Sequence, residues 1–160
     1  MTMSKKALKL MLAGVFVTCI SGAIGYRIAR ATPPVGVTNT LIAGPVVLDD
    51  IDVVQQTPDW GAMIKTRGLS DAYVRYIKIA PGGNTGWHSH PGPVFALVNS
   101  GTLTIYNDDF ESAVYPAGTG FVEGPGDVHI AVNEGDTDLE LVAIFLVPRG
   151  APPRIDEPAP

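Results

Sequence analysis

The sequence predicts an all-β domain, an antiparallel sandwich or barrel, from about Leu41 onward. Short runs rich in β-branched and aromatic residues alternate there with clusters of Gly, Pro, Asn and Asp. These turn signals recur about every eight to twelve residues, and no apolar pattern has the period of a helix. Such spacing indicates antiparallel strands joined by short turns.

The candidate strands follow one another along the chain and are bounded by turn residues. Ten runs have strand composition: Pro45–Leu48, Ala62–Thr66, Ala72–Ala80, Trp87–His90, Val94–Val98, Thr102–Tyr106, Ser112–Tyr115, Gly120–Glu123, Val128–Val132 and Leu139–Val147. The main turn clusters between them are Pro81–Asn84, Asn99–Gly101, Asn107–Asp109, Pro116–Gly118, Gly124–Gly126 and Glu134–Asp136. Glycines in these turns are expected to supply positive φ angles.

The first 31 residues are unlike the rest. Three lysines within the first nine residues precede an apolar run from Leu10 to Tyr26, and the small-x-small motif Ala29–Ala31 follows. This order predicts a secretory signal peptide cleaved after Ala31. The length of the apolar run leaves an uncleaved membrane anchor open. In both cases we expect a secreted or otherwise extracytoplasmic domain.

The remainder divides by composition into three parts. Residues 32–40 read as a linker, residues 41–147 as the β-barrel domain, and residues 148–160 as a tail with five prolines. Proline cannot donate to a strand ladder, so the tail is not expected to form a central strand. We expect it to lie on the surface or to be loose, with Arg149 and Arg154 available to fasten it to the acidic body.

The net charge of the domain limits the kinds of partner that it can bind. After residue 31 the chain has six basic and sixteen acidic residues, a net charge of −10 with neutral histidines. This charge opposes binding to nucleic acid or to an anionic membrane. Membrane contact is expected only through residues 1–31. The expected partner is a small-molecule ligand or substrate, and a homodimer formed through residues 45–54 is left open.

The single cysteine, Cys19, lies inside the apolar run of the signal segment. A mature chain that begins at Thr32 would contain no thiol. It could form no disulfide and offer no thiolate ligand. Any metal in this domain must therefore be held by nitrogen and oxygen.

All three histidines lie in two short glycine-rich segments. His88 and His90 are in Gly86–Pro93, and His129 is in Gly126–Asn133. Residues two apart on a strand face the same side, so His88 and His90 are expected to project together. A third imidazole from a distant strand would complete a three-nitrogen set with an open position. The alternative is that the histidines are scattered polar residues on an outer face.

The glycine spacing resembles two signature motifs of the cupin superfamily. Gly82 lies six residues before His88 and Gly101 lies eleven after His90, as in G-x5-H-x-H-x3-E-x6-G. Gly118 and Asn133 frame the second motif, G-x5-P-x-G-x2-H-x3-N. Two positions depart from the pattern: Val94 replaces the metal-binding Glu, and Gly124 replaces Pro. The resemblance implies a double-stranded β-helix, which is a jelly-roll barrel.

The resemblance also implies that His88, His90 and His129 bind one divalent transition metal ion. Imidazole ligands suit zinc, copper, iron or nickel better than magnesium or calcium, and manganese is a further candidate ion. Val94 removes the usual carboxylate ligand. Glu123 is a conceivable substitute, but its place before Gly124 and Pro125 predicts exposure to solvent.

Four aromatic residues are candidates for the pocket lining: Tyr76, Phe95, Tyr106 and Phe121. Trp87 has the strand parity opposite to that of the histidines, which predicts packing behind the metal-binding wall.

These features favour an exported metal-binding cupin with a three-histidine site. It could be a metal-dependent enzyme with dioxygenase-like or metal-hydroxide chemistry on a small molecule. The alternative is a non-catalytic module that binds a small ligand, since the fold serves many functions. A third reading is a decayed, metal-free barrel that has lost the glutamate.

Overall fold

The computed structural model describes residues 30–160, and these form twelve strands. In chain order they are β1 (Val35–Leu48), β2 (Asp52–Gln56), β3 (Gly61–Lys65), β4 (Ser70–Asn84), β5 (His88–Ser89), β6 (Val94–Ser100), β7 (Thr102–Asn107), β8 (Ser112–Pro116), β9 (Gly120–Glu123), β10 (His129–Val132), β11 (Leu139–Pro148) and β12 (Ile155–Asp156). No part of residues 30–160 forms an apolar helix long enough to cross a bilayer. The expected signal or anchor segment lies outside the described residues, except for its last two positions.

Ten of the strands form a nearly closed antiparallel barrel. One wall has the order β1-β4-β11-β6-β9, and the other has the order β8-β7-β10-β5-β12. The walls are hydrogen-bonded to each other where Val132 of β10 pairs with Asn84 of β4. Strands β2 and β3 form a separate hairpin. The predicted double-stranded β-helix is confirmed.

Strict alternation of side chains builds the core between the two walls. In β6, Val94, Ala96 and Val98 are buried while the residues between them face outward. The core cluster draws on both walls and includes Ile79, Leu103, Leu139 and Leu141. Each fully buried aliphatic side chain of this size contributes about 1.5–3 kcal/mol to folding. The period of two therefore decides which face of each strand can carry a functional residue.

Turns and strand ends behave as the motifs predict. Gly101, between β6 and β7, has a φ of 76°, and Gly118, between β8 and β9, has a φ of 82°, a region that glycine enters without strain. Asn133, at the end of β10, is fully buried. Its Nδ2 donates to the carbonyls of Ile79 at 2.9 Å and Thr137 at 2.8 Å. These bonds join the end of β10 to β4 and to the turn before β11.

The linker predicted over residues 32–40 is corrected by the structure. Val35–Thr40 are the first half of β1, which pairs along β4 from the Val37–Ile79 pair to the Leu48–Ser70 pair. Strand β1 lies at the edge of its wall and is mostly exposed on both faces. It therefore lacks the apolar alternation that identifies a strand with one buried face.

The C-terminal tail lies on the surface of the barrel, which is one of the two arrangements expected from the sequence. The Arg149 Nη1 donates to Asp71 Oδ1 at 2.6 Å, and the Gly150 amide donates to Asp71 Oδ2 at 2.9 Å. Further on, Ile155 of β12 pairs with Ser89 of β5. The prolines are compatible with this pairing because β12 is an edge strand.

Replacing Asp71 by Asn should lower the melting temperature near neutral pH by a few degrees. The Gly150 amide and the Arg149 guanidinium hold the pKa of the Asp71 carboxyl below its usual value of 3.8. The stabilisation is therefore complete above the unfolded pKa and is lost as pH falls through the lower folded pKa. Thermal unfolding followed by circular dichroism from pH 7 to pH 2.5 measures the difference.

The matched control is Asp59→Asn, in the exposed connection between β2 and β3, which should leave the melting temperature unchanged at every pH. The difference between wild type and Asp71→Asn should shrink below about pH 4. A difference that persists unchanged in acid would contradict the assignment.

Candidate metal centre

The three histidines meet inside the barrel. His129 of β10 pairs directly with His88 of β5, and His90 follows His88 by two residues. The ring centroids are 4.4 Å apart for His88 and His129, 4.9 Å for His88 and His90, and 5.4 Å for His90 and His129. All three side chains are buried, and one nitrogen from each lies within 4.8 Å of the others. Strand parity thus brings together the residues that the motifs selected.

Each imidazole is oriented by a backbone carbonyl. The Nδ1-to-oxygen distances are 2.9 Å from His88 to Gly86, 2.6 Å from His90 to Pro153 and 2.9 Å from His129 to Asp127. A carbonyl oxygen only accepts, so the hydrogen must lie on Nδ1 in every ring. The lone pair of each neutral ring is then on Nε2. This arrangement is the one that outer hydrogen bonds impose on metal-binding histidines.

Glu123 faces these Nε2 atoms from β9. Its Oε2 lies 3.2 Å from His90 Nε2, and its Oε1 lies 3.2 Å from His129 Nε2. The side chain is only 13% exposed, so the expectation that it faces solvent is wrong. The reason is the register of β9, in which Glu123 pairs directly with Val94 of β6 and shares its inward face. A carboxylate therefore lies beside the histidines although Val94 offers none.

Burial and mutual charge set the protonation of the site. Burial, followed by the positive charge of neighbouring groups, lowers the pKa of His88 to about 2. Burial opposes ionisation of Glu123, but its contacts with His129 and His90 outweigh burial and lower its pKa to about 2. For His129, burial is likewise outweighed by Glu123, and the pKa is raised. At neutral pH the site therefore presents an uncharged His88 beside an ionised carboxylate.

These residues fit a divalent transition metal. The buried Nε2 of His129 has no hydrogen-bond partner among residues 30–160, although the Glu123 carboxylate is close. Buried nitrogen atoms without partners are uncommon in folded proteins. A set of three imidazoles and one carboxylate is the donor chemistry of nitrogen- and oxygen-bound zinc, copper, iron, nickel or manganese.

Only one of the four predicted pocket aromatics lines the interior. Phe121 faces inward and stacks on Tyr115 at 4.2 Å. Phe95 is 39% exposed on the outer face of β6. Tyr106 Oη donates to Glu134 Oε1 at 2.8 Å, in an exposed position.

Tyr76 is likewise placed away from the pocket. Glu140 lies beside it and raises the pKa of its phenol, and its neighbours Arg75 and Ile77 line a cavity beside the histidines instead. The pocket assignments of Tyr76, Phe95 and Tyr106 are therefore corrected, each by one position of strand parity. The expectation for Trp87 is confirmed, because its ring is buried and packs edge-on against Phe110 at 5.6 Å.

Two arginines near the histidines were not predicted. Arg75 and Arg154 line a cavity of about 270 Å³ whose wall also includes His88 and His90. Arg75 could have been found from the sequence, since it has the strand parity of the buried residue Ile79. Arg154 carries no such signal, because only the folding of the tail brings it to the site.

The sequence model for the family described as "Cupin domain" matches residues 75–145. This region contains all three histidines and Glu123. The chain belongs to the cupin superfamily. No protein of curated function matches this cupin.

Several solved structures are similar to this chain at low identity. A cupin-like protein from Thermotoga maritima is 23% identical, with a TM-score of 0.50 over 55% of this chain and 65% of that chain. A double-stranded β-helix protein from Klebsiella pneumoniae is 22% identical, with a TM-score of 0.47 over 68% and 85%. An oxalate oxidase bound to the substrate analogue glycolate is 25% identical, with a TM-score of 0.46 over 53% and 45%. This cupin thus spans less than two thirds of the Thermotoga and oxalate oxidase chains.

Ending the chain at Pro152 should change the tautomer of His90 alone. The truncation removes the Pro153 carbonyl that accepts from His90 Nδ1, whereas the acceptor of His88, the Gly86 carbonyl, remains. Long-range ¹H–¹⁵N spectra of the full chain should show both rings protonated at Nδ1. In the truncated chain His90 should become a mixture of tautomers while His88 stays unchanged.

The control is Glu157→Gln, which weakens the contact with Ser89 Oγ but keeps the Pro153 carbonyl in place. It should give the spectrum of the wild type. A His90 that remains protonated only at Nδ1 after truncation would show that the tail does not orient this ring.

Proposed function

We propose that this cupin holds one divalent transition metal ion between His88, His90, His129 and Glu123, beside a site for a small molecule. The observation that carries the proposal is the fixed Nδ1–H of all three rings. Because each Nδ1 is bonded to a backbone carbonyl, the lone pair of each neutral ring is on Nε2, and the Glu123 carboxylate lies 3.2 Å from the Nε2 atoms of His90 and His129. Zinc, copper, iron, nickel and manganese are the ions that suit this set.

The surroundings support a small-molecule enzyme. A bound ion would supply Lewis-acid or redox chemistry to a molecule held next to it. The chain's own residues would then orient that molecule and exclude water. Phe121, Phe145 and Leu141 help to form an apolar floor below the histidines, where only about 40 Å³ of space remains. A larger cavity beside His88 and His90 would let a small molecule reach the histidines from the side opposite this floor.

Export and self-association are further parts of the proposal. The three lysines near the start, the apolar run from Leu10 to Tyr26 and the Ala29–Ala31 motif support export of the domain. The outer face of β6, β9 and β11 exposes Phe95, Leu97, Val122 and Ile144, an apolar surface that a second copy could cover.

Metal analysis tests the centre directly. The chain purified from its exported form should contain about one metal ion per chain by inductively coupled plasma mass spectrometry, and His88→Ala should contain almost none. The matched control is Ser89→Ala, because Ser89 lies between the two histidines but bonds outward to Glu157. It should keep its metal. Absence of metal from all three proteins, even after loading with zinc, copper, iron or manganese, would overturn the proposal.

The role of Glu123 is tested in the same measurement. Glu123→Gln should lower metal affinity about tenfold or more, since an amide oxygen is a much weaker ligand than a carboxylate. Combining Glu123→Val with Val94→Glu should restore much of the affinity, because the two residues pair directly and face the same interior. Glu134→Gln, which alters a carboxylate bonded to Tyr106 outside the site, should have no effect.

Turnover of a small molecule distinguishes an enzyme from a binding module. If this cupin is an enzyme, oxygen uptake or turnover of a small-molecule panel should require the metal and disappear in His90→Ala. Ligands that raise the melting temperature but are not converted by any metal form would instead establish the non-catalytic module.

A further inference from the structure

We propose that the cavity beside His88 and His90 binds a small carboxylate anion, with Arg75 as its main contact and Arg154 at the rim. The assignment of this anion as substrate or ligand of the metal centre rests on the proposed function. The contact between anion and arginine does not, and can be tested without metal.

The cavity has the size and lining of a site for a small acid. Its volume is about 270 Å³, just below the usual range for drug-sized ligands. Val37, Ile77 and Phe145 supply apolar walls, whereas the two arginines and Asn39 supply hydrogen-bonding groups. No Asp or Glu side chain is among the described residues that line it. The two guanidinium groups therefore face the cavity, and no carboxylate in the cavity wall neutralises them.

Arg75 has unused hydrogen-bonding capacity. It lies on the inward face of β4, and its Nη1 donates to Asn39 Oδ1 at 3.1 Å. Its Nε is buried and has no hydrogen-bond partner within residues 30–160. A buried N–H group without an acceptor costs free energy, which an anion in the cavity would remove.

The other basic side chains make the contrast clear. Lys65, Lys78 and Arg149 each form an ion pair with an aspartate, and Arg67, which also lacks an acidic partner among residues 30–160, is exposed to solvent. Arg75 has no carboxylate within 4.0 Å among the described residues. In a domain with a net charge of −10, an arginine without an acidic partner is therefore held at the mouth of the barrel.

Arg154 adds a second, weaker contribution. Its Nη2 donates to the Thr85 carbonyl at 2.8 Å, and its Nε donates to Asp156 Oδ1 at 2.6 Å. These two bonds hold the guanidinium at the rim of the cavity. Asp156 offsets part of the charge, so Arg75 should dominate the binding of an anion.

The geometry of guanidinium favours a carboxylate. Its planar fork can donate two parallel hydrogen bonds to the two oxygens of one carboxylate, which an ammonium group cannot do. A small acid bound to Arg75 would keep its other end in the part of the cavity walled by His88 and His90. The ligand class is thus a short carboxylic acid with a second polar group.

Calorimetric titration with malonate and its uncharged analogue malonamide tests this site. The full chain as purified, and the same chain after treatment with a chelator, are titrated at constant ionic strength. Malonate should bind at least tenfold more tightly than malonamide to both forms. Arg75→Gln should weaken malonate binding at least tenfold and leave malonamide unchanged. Lys78→Gln, the control, removes an equal charge from the outer face and should match the wild type.

The outcomes separate this inference from the proposed function. Metal content in Arg75→Gln should equal that of the wild type. If the wild type holds no metal but binds malonate through Arg75, the metal centre is wrong and the anion site stands. If malonate and malonamide bind equally, or Arg75→Gln binds malonate normally, the anion site is wrong. Tighter binding of inorganic phosphate than of malonate would overturn the assignment to carboxylates.

A folding defect in Arg75→Gln would be visible in its circular dichroism spectrum. In that case Arg75→Lys carries the test, because it keeps the positive charge and removes the planar fork. Malonate affinity should then fall severalfold, with malonamide unaffected. Unchanged malonate affinity in a folded Arg75→Lys would overturn the specific role of the guanidinium.

Discussion

Three hydrogen bonds from imidazole Nδ1 atoms to backbone carbonyls hold the centre of this cupin together. They connect His88 to Gly86, His90 to Pro153 and His129 to Asp127. Burying three imidazoles is unfavourable unless one nitrogen of each is satisfied, and the carbonyls satisfy the same nitrogen in every ring. The three Nε2 atoms, which carry the lone pairs, are therefore held within one small volume. The candidate metal centre and the histidine-lined wall of the adjoining cavity depend on that constraint.

Two of these carbonyls are local, and the third comes from the far end of the chain. Gly86 and Asp127 each lie two residues before the histidine that they orient, so the turns preceding β5 and β10 supply them. Pro153 belongs to the tail, which is fastened by Arg149 to Asp71 and by β12 to β5. The C-terminal segment is therefore part of the wall of the site. Its prolines suit an edge position, where a missing amide hydrogen breaks no ladder.

The charge distribution separates the outside of the domain from its interior. Acidic residues predominate over the domain as a whole, while the cavity beside the histidines has two arginines and no carboxylate in its described lining. Among residues 30–160, Glu123 is the acidic residue whose carboxylate lies within 4.0 Å of histidine ring nitrogens, and it is on β9 instead of at the motif position on β6. Val94 and Glu123 pair directly, and partners across an antiparallel pair project to the same side. A carboxylate at either position therefore points toward the histidines.

The sequence by itself determined the fold class, most strand positions and the three histidines, because alternation, turn glycines and motif spacing are local properties. The shared parity of His88 and His90 needs only a short stretch of extended chain. Tertiary structure decided the rest. The register of β9 brings Glu123 to the site, and the path of the tail brings Arg154 and the Pro153 carbonyl. Neither the register nor the path of the tail produces a periodic pattern in the sequence. The parity of Tyr76, Phe95 and Tyr106 was also decided by tertiary pairing, since an aromatic residue suits both faces of a strand. Of edge strand β1, only the last four residues, Pro45–Leu48, were predicted, because the strand has no fully buried face to impose a pattern.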